Sequence, residues 1–78
     1  MNPSLNTLVG AEIRAELARR RMTHEVFAKG IKVSQATLAR RLAGTSPFTL
    51  NELEAAAKYL NVPVTQLLGR AAPVAVPA

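Results

Sequence analysis

Apolar residues recur every four positions in the first part of the chain, at Leu5, Val9, Ile13 and Leu17. This spacing puts them on one face of an α-helix and predicts a first helix over residues 5–20. Ser4 and Asn6 are both suitable N-caps, because their side-chain oxygens can accept a hydrogen bond from a free backbone N–H. Gly10 lies inside this helix and is expected to weaken it. The first predicted element is therefore a helix with one apolar face.

Four shorter helices are predicted after the first one. Apolar spacing places them at residues 24–31, 35–43, 50–60 and 63–69. Three hydroxyl residues stand where N-caps belong, namely Thr23, Ser34 and Thr49. Gly44 and Asn61 are suited to end the third and fourth helices. Because isolated helices of this length are marginally stable, they must pack together, and the sequence predicts an all-α, compact five-helix bundle.

The composition agrees with one small domain of closely packed helices. The chain has 78 residues, of which 49% are apolar, and its three aromatic residues, Phe27, Phe48 and Tyr59, are expected in the core. We assign residues 1–69 to the domain. Residues 70–78, "RAAPVAVPA", contain two Pro and otherwise only Arg, Ala and Val, and are expected to form an extended or disordered tail.

Several classes of function are excluded by what the sequence lacks. Without Cys the chain has neither disulfide bonds nor thiolate metal sites, which fits an intracellular protein. No apolar stretch approaches the roughly 20 residues of a membrane-spanning helix, and no signal-peptide pattern is present. His24 is the only His, and without Asp or Cys it has no ligand set for a metal, so no metal or other cofactor is expected. A catalytic triad would need a Glu from the first or fourth helix beside His24, on a domain with little room for a pocket. The sequence thus predicts a cytoplasmic protein that is not an enzyme.

Positive charge is concentrated in the first half of the chain. Residues 1–41 contain eight of the ten basic residues but only three of the five acidic ones, and so account for the whole net charge of +5. This concentration indicates a polyanionic partner, either nucleic acid or an anionic membrane surface. Arg19, Arg20 and Arg21 end the first helix, where a cation stabilises the helix dipole by about 0.3–1 kcal/mol. At least one of the three is expected to do so, which leaves the others for phosphate.

The second and third predicted helices are separated only by "KVS", residues 32–34, which requires the sharp bend of a helix-turn-helix unit. Leu38 and Leu42 lie one turn apart and are expected in the core. The other side and the exposed start of the third helix then carry Gln35, Ala36, Thr37 and Arg40. The DNA major groove accepts a helix, and Arg suits the paired acceptors of a guanine edge. This pattern predicts a helix whose outer face inserts into DNA.

The stretch "MTHEVFAKGIKVSQATLARRLAG", followed by "PFTLNELEAAAKYLNVPVTQLL", resembles the lambda-repressor-like helix-turn-helix proteins of the Xre/Cro/CI kind. The resemblance runs from Leu8 to Leu68. Ala28 takes the place of the small residue between the second and third helices, and Leu38 that of the buried aliphatic residue. The resemblance implies base contacts from Gln35, Ala36, Thr37 and Arg40, and phosphate contacts from Thr23, His24, Ser34, Thr45 and Ser46.

Further phosphate contacts are expected from five basic residues, Arg19, Arg20, Arg21, Lys29 and Arg41. Arg41 stands at a position that is often apolar in the family, and its side chain could equally lie along the core with its charged end at the surface. Lys32 replaces the usual turn Gly. Either Lys32 adopts a left-handed backbone at a cost near 1 kcal/mol, or the turn is reshaped around Gly30.

Three functions are compatible with these features. The leading hypothesis is a sequence-specific regulator of phage or bacterial type, a repressor that occupies a double-stranded DNA operator. The second is an antitoxin-like or other protein-interaction module that binds DNA secondarily. The third, binding of a membrane surface by the first helix, ranks last because its arginines are gathered at one end. The protein is expected to be a monomer or weak dimer in solution, and any homodimer is expected either to use the surface around the fourth and fifth helices or to form only on DNA.

Overall fold

The computed structural model describes residues 4–69, which form five helices. The helices are α1 Leu5–Arg19, α2 His24–Gly30, α3 Gln35–Ala43, α4 Leu50–Leu60 and α5 Val64–Gly69. The predicted all-α bundle is confirmed, and every helix begins and ends within one residue of its expected bounds. No helix in this part of the chain combines the length and hydrophobicity needed to cross a bilayer. The predicted tail, residues 70–78, lies outside the described residues.

The first four helices each begin with a hydroxyl side chain that accepts a hydrogen bond from the backbone N–H three residues later. These N-caps are Ser4, Thr23, Ser34 and Thr49. For α1 the N-cap is therefore Ser4 and not Asn6. At α4 the cap is reciprocal, because the Glu52 carboxylate also accepts the Thr49 N–H at 3.0 Å. Each start is thus fixed by contacts within one turn.

Each of the same four helices is followed, one or two residues after its last residue, by a residue in the left-handed region, with φ between 52° and 81°. These residues are Arg21, Lys32, Gly44 and Asn61. The next backbone N–H in each case reaches the carbonyl oxygen five residues back, as from Val33 to Ala28 at 3.0 Å. Lys32, with φ 62°, therefore takes the strained conformation itself, and Gly30 stays within α2. The turn is not reshaped around Gly30.

The core lies between α1 and the helices that pack on it. Helix α1 contacts α3 and α5, α2 contacts α3 and α4, and α4 contacts α5. The largest fully buried side chains are Ile13, Leu17, Phe27, Leu38 and Leu67. Phe48 packs against this core while half-buried. The prediction for Tyr59 is wrong, because this residue is 42% exposed, although the centre of its ring lies 6.1 Å from that of Phe27.

Gly10 lets α1 and α3 approach each other closely. A Cβ atom at this position would lie 2.3 Å from the carbonyl oxygen of Leu42, which is far inside van der Waals contact. The sequence pattern indicated only that Gly10 weakens its own helix. In the folded chain Gly10 also allows the backbones of α1 and α3 to pack closely, which no larger residue at this position would permit.

Candidate nucleic-acid interface

Helices α2 and α3 and the turn between them form the predicted helix-turn-helix unit. Ala28 is 2% exposed, as expected for the small residue where the two helices approach each other. Leu38 and Leu42 are 1% and 3% exposed, so the apolar side of α3 faces the core. The opposite side of α3 is therefore presented to solvent.

The solvent side of α3 carries the four residues expected to contact bases. Gln35, Ala36 and Arg40 are exposed, and Thr37 is half-buried. Within residues 4–69 the Arg40 guanidinium has no ion-pair partner. The Thr37 hydroxyl oxygen accepts a hydrogen bond from the Ser34 hydroxyl at 3.0 Å, which leaves the proton of Thr37 available for another acceptor. The predicted outward face of α3 is confirmed, and it carries one uncommitted cation.

Four residues expected at phosphates lie in or beside α2 with exposed side chains, namely Arg21, Thr23, His24 and Lys29. The Thr23 hydroxyl oxygen accepts the Val26 N–H at 3.1 Å, and its own proton remains free to be donated. Ser34 differs, because its hydroxyl both accepts the Thr37 N–H and donates to the Thr37 oxygen. Ser34 therefore acts as the N-cap of α3, and its hydroxyl proton is already donated to Thr37.

Arg19 and Arg20 are engaged with a buried carboxylate at the end of α1. Glu16 is 3% exposed and lies 2.7 Å from Nη2 of Arg19 and 3.2 Å from Nη1 of Arg20. Hydrogen bonds from Arg19 and Gln66 lower the pKa of Glu16, although burial acts in the opposite direction. Arg20 also donates to the carbonyl oxygen of Leu60 at 2.6 Å. This cluster joins α1 to α4 and α5.

Arg41 is also paired within the chain. Its Nε and Nη2 donate to the two carboxylate oxygens of Glu52 at 2.8 and 3.2 Å, and its Nη1 donates to the Ser46 hydroxyl at 2.8 Å. The hydrogen bond from Arg41 lowers the pKa of Glu52 against the effect of burial. Sequence reasoning missed Glu52, although the spacing of Thr49 and Glu52 is the pattern of a capping box.

Fewer cations are available for phosphate than the eight basic residues of the first half of the sequence indicate, because three of them form ion pairs within the described part of the chain. The others have no ion-pair partner within residues 4–69 and are all exposed, and they are Arg14, Arg21, Lys29, Lys32 and Arg40. Among residues 4–69 no three His, Asp or Glu side chains are close enough together to hold a metal ion. The exposed hydrogen-bond donors and positive charges of this surface suit recognition of phosphates and base edges.

A model of the helix-turn-helix family matches residues 13–67, which is more than half of the chain and contains α2, the turn and α3. Among solved structures, the chain is similar to the clp gene regulator ClgR from C. glutamicum. The TM-score is 0.85 at 23% sequence identity, and the match covers 99% of this chain and 100% of that one. No curated protein matches the sequence.

Proposed function

Because this chain belongs to the helix-turn-helix family of DNA-binding regulators, of the Xre/Cro/CI kind, we propose that it binds double-stranded DNA sequence-specifically and represses transcription by occupying an operator. In this proposal α3 lies in the major groove. The wide groove admits a helix, and its base edges offer a distinct pattern of donors and acceptors for each base pair.

The observation that carries the proposal is the outer face of α3. Arg40 is exposed there and has no ion-pair partner within residues 4–69, so its guanidinium is available to donate to O6 and N7 of a guanine. Gln35, Ala36 and Thr37 precede it, toward the start of the same helix. We assign base contacts to these four residues.

In this proposal some residues contact phosphate directly, and others support phosphate binding without direct contact. Direct contacts come from the residues whose donors are not committed within the chain, namely Arg21, Thr23, His24, Lys29, Thr45 and Ser46. Ser34 supports the start of α3, where free backbone N–H groups attract an anion. Arg19 and Arg20 contribute positive charge beside phosphate, with Glu16 offsetting part of it.

The test compares Arg40→Ala with Lys29→Ala after the preferred duplex has been selected from a random pool. A base contact predicts that Arg40→Ala costs about 1–3 kcal/mol on the selected duplex and removes the preference at one base position of each half-site. A phosphate contact predicts that Lys29→Ala weakens all sequences alike and lowers the salt slope by about 0.9 for each bound chain. Binding is measured on the selected duplex and on one with a single base changed, at two salt concentrations.

Arg14→Ala is the matched control. Arg14 is exposed on α1 and has no ion-pair partner within residues 4–69, and its replacement removes one positive charge, as the other two substitutions do. It is expected to leave both affinity and base preference close to those of the wild type. Equal losses for Arg40→Ala on the two duplexes would assign Arg40 to a phosphate. Wild-type protein that binds all duplexes equally would contradict the proposed sequence-specific function.

We further propose a two-fold operator, with half-sites about 34–36 Å apart as in dimeric helix-turn-helix proteins. The protein is expected to be a monomer or weak dimer in solution and to pair on DNA through the surface around α4 and α5. Leu50, at the start of α4, is 83% exposed, so Leu50→Ser alters this surface without touching the core. Sedimentation velocity should show two chains per operator for the wild type. A tight dimer without DNA that is unaffected by Leu50→Ser would refute this interface.

A further inference from the structure

The Arg41 side chain is held by three hydrogen bonds and is largely withdrawn from solvent. Its side chain is 19% exposed, and each of its guanidinium nitrogens donates to Glu52 or to Ser46. Exposed Arg40, one residue earlier on the same helix, has no such partner within residues 4–69. Arg41 is therefore poorly placed to reach a phosphate, whereas its neighbour is free to reach DNA.

The partners of Arg41 lie in the segment that joins α3 to α4 and in the first turn of α4. Ser46 is in that segment, and Glu52 is in the first turn of α4. The Glu52 carboxylate also accepts the Thr49 N–H, and the Thr49 hydroxyl accepts the Glu52 N–H, both at 3.0 Å. Because α3 is the predicted recognition helix, Arg41 ties that helix to the start of α4 and to the loop between them.

The hydrogen bond from Arg41 also sets the direction of the Ser46 hydroxyl group. A hydroxyl has one proton to donate, and its oxygen accepts through lone pairs. Since the Ser46 oxygen accepts from Arg41 at 2.8 Å, its proton must point away from the guanidinium. Ser46 is thus prepared to donate to an acceptor outside the chain, such as a phosphate oxygen.

Arg41 has a second effect through Glu52. The Glu52 side chain is 16% exposed and binds the same Arg41 guanidinium as the Ser46 hydroxyl. Without Arg41, the negative charge of Glu52 would be left without its cation in the neighbourhood of Ser46. Such a charge would repel phosphate and would be costly to leave partly buried. The bidentate geometry of the pair requires the planar fork of Arg, which Lys cannot reproduce.

Resting on the proposed function, we infer that Arg41 is a positioning residue for DNA binding. It directs the Ser46 hydroxyl toward a phosphate and neutralises Glu52, while its own guanidinium stays within the protein.

The first test is Arg41→Lys, which keeps the positive charge but loses the bidentate pairing. A positioning role predicts that Arg41→Lys weakens binding of the selected duplex several-fold and that the salt slope stays close to the wild-type value. Ser46→Ala should weaken the wild type but have little further effect on Arg41→Lys, because both changes remove the same donor. Affinity within error of the wild type for Arg41→Lys would overturn the inference, since a Lys can still meet a phosphate as a point charge.

The second test is a double-mutant cycle of Arg41→Gln and Glu52→Gln. Arg41→Gln alone should weaken binding about tenfold, and adding Glu52→Gln should restore most of that loss because the unpaired carboxylate is removed. The double variant should keep the wild-type salt slope. A direct phosphate contact predicts no restoration and a salt slope lower by about 0.9 for each bound chain in both variants. If Arg41→Gln alone does not fold, the double variant and Arg41→Lys still decide between these outcomes.

Amide hydrogen exchange of the free protein separates failure of this inference from failure of the proposed function. Arg41→Lys should accelerate exchange at residues 45–52 while leaving α1 protected. Unchanged exchange in that segment overturns the positioning role. Wild-type protein that binds no duplex, together with accelerated exchange in the variant, refutes the proposed function instead, and the coupling of α3 to α4 stands as a property of the fold alone.

Discussion

Gly10→Ala tests the close approach of α1 to α3 most directly. The added Cβ atom would lie 2.3 Å from the Leu42 carbonyl oxygen, 2.9 Å from the Leu42 carbonyl carbon and 3.0 Å from the Arg41 carbonyl oxygen. These are backbone atoms, so they cannot rotate away as a side chain could. To restore ordinary contact, α1 and α3 would have to separate by about 1 Å, which would loosen a close-packed interior.

Two opposing effects decide how much Gly10→Ala changes the free energy of unfolding. In an isolated helix, replacing Gly by Ala is worth about 0.8–1.0 kcal/mol in favour of folding. Inserting a methyl group into a packed interface typically costs about 1–3 kcal/mol, and a rigid backbone contact belongs at the upper end of that range. We therefore expect the free energy of unfolding to fall by about 1–2 kcal/mol and Tm to fall by about 5–15 °C for a domain of this size.

Thermal and urea unfolding, followed by circular dichroism, measures this effect. Ala11→Gly is the matched control, because Ala11 is exposed in the same helix and the reverse exchange there should cost about 1 kcal/mol from helix propensity alone. If Gly10→Ala raised the Tm, propensity would dominate at this position and the packing argument would be refuted.

Three further changes test other parts of the fold. Lys32→Gly should raise the free energy of unfolding by up to about 1 kcal/mol, since it relieves a left-handed residue with φ 62°; a lower Tm in thermal unfolding would contradict this. Gly30→Ala should cost less than Gly10→Ala, because its Cβ would meet the half-exposed Tyr59 ring, which can move; tyrosine fluorescence and Tm would show this, and an equal loss would count against it. Because Glu16 and Glu52 have pKa values below the ordinary 4.5, the stability they contribute is present above that pH and lost as the pH falls through the lowered values. Urea unfolding between neutral and acid pH should show this loss, and a Glu52→Gln variant with an equally steep pH dependence would refute the assignment to that carboxylate.

Features governed by neighbouring residues could be predicted from the sequence. The hydroxyl N-caps act within one helical turn, so Thr23 and Ser34 could be assigned from their positions alone. The outward face of α3, including Arg40, followed from helical periodicity. The left-handed turn at Lys32 was one of two alternatives, because local sequence does not decide whether Gly30 or Lys32 absorbs the bend.

Contacts between distant residues could not be predicted in this way. The partner of Arg41 is eleven positions away, and Gln66 is fifty positions from Glu16. Charge alone assigns Arg41 to phosphate, because nothing in the local pattern shows that it meets Glu52. For Arg19 and Arg20 a local signal is present, since Glu16 lies three and four residues earlier on the same helix. Tyr59 is predicted in the core for a related reason, since an aromatic residue on a helix gives no sign of how much of its ring distant parts of the chain cover.

The packing of α5 on α1 has a consequence for synthesis of the chain. Leu67 is fully buried, and Gln66 donates to Glu16 at 2.9 Å, so the core includes contacts between the first and fifth helices. During translation α5 emerges from the ribosome after the other four helices. A nascent chain can pair α1 with α3 earlier, but it carries an uncovered apolar surface until Leu67 leaves the exit tunnel, and in that interval it is expected to be a substrate for chaperones and proteases.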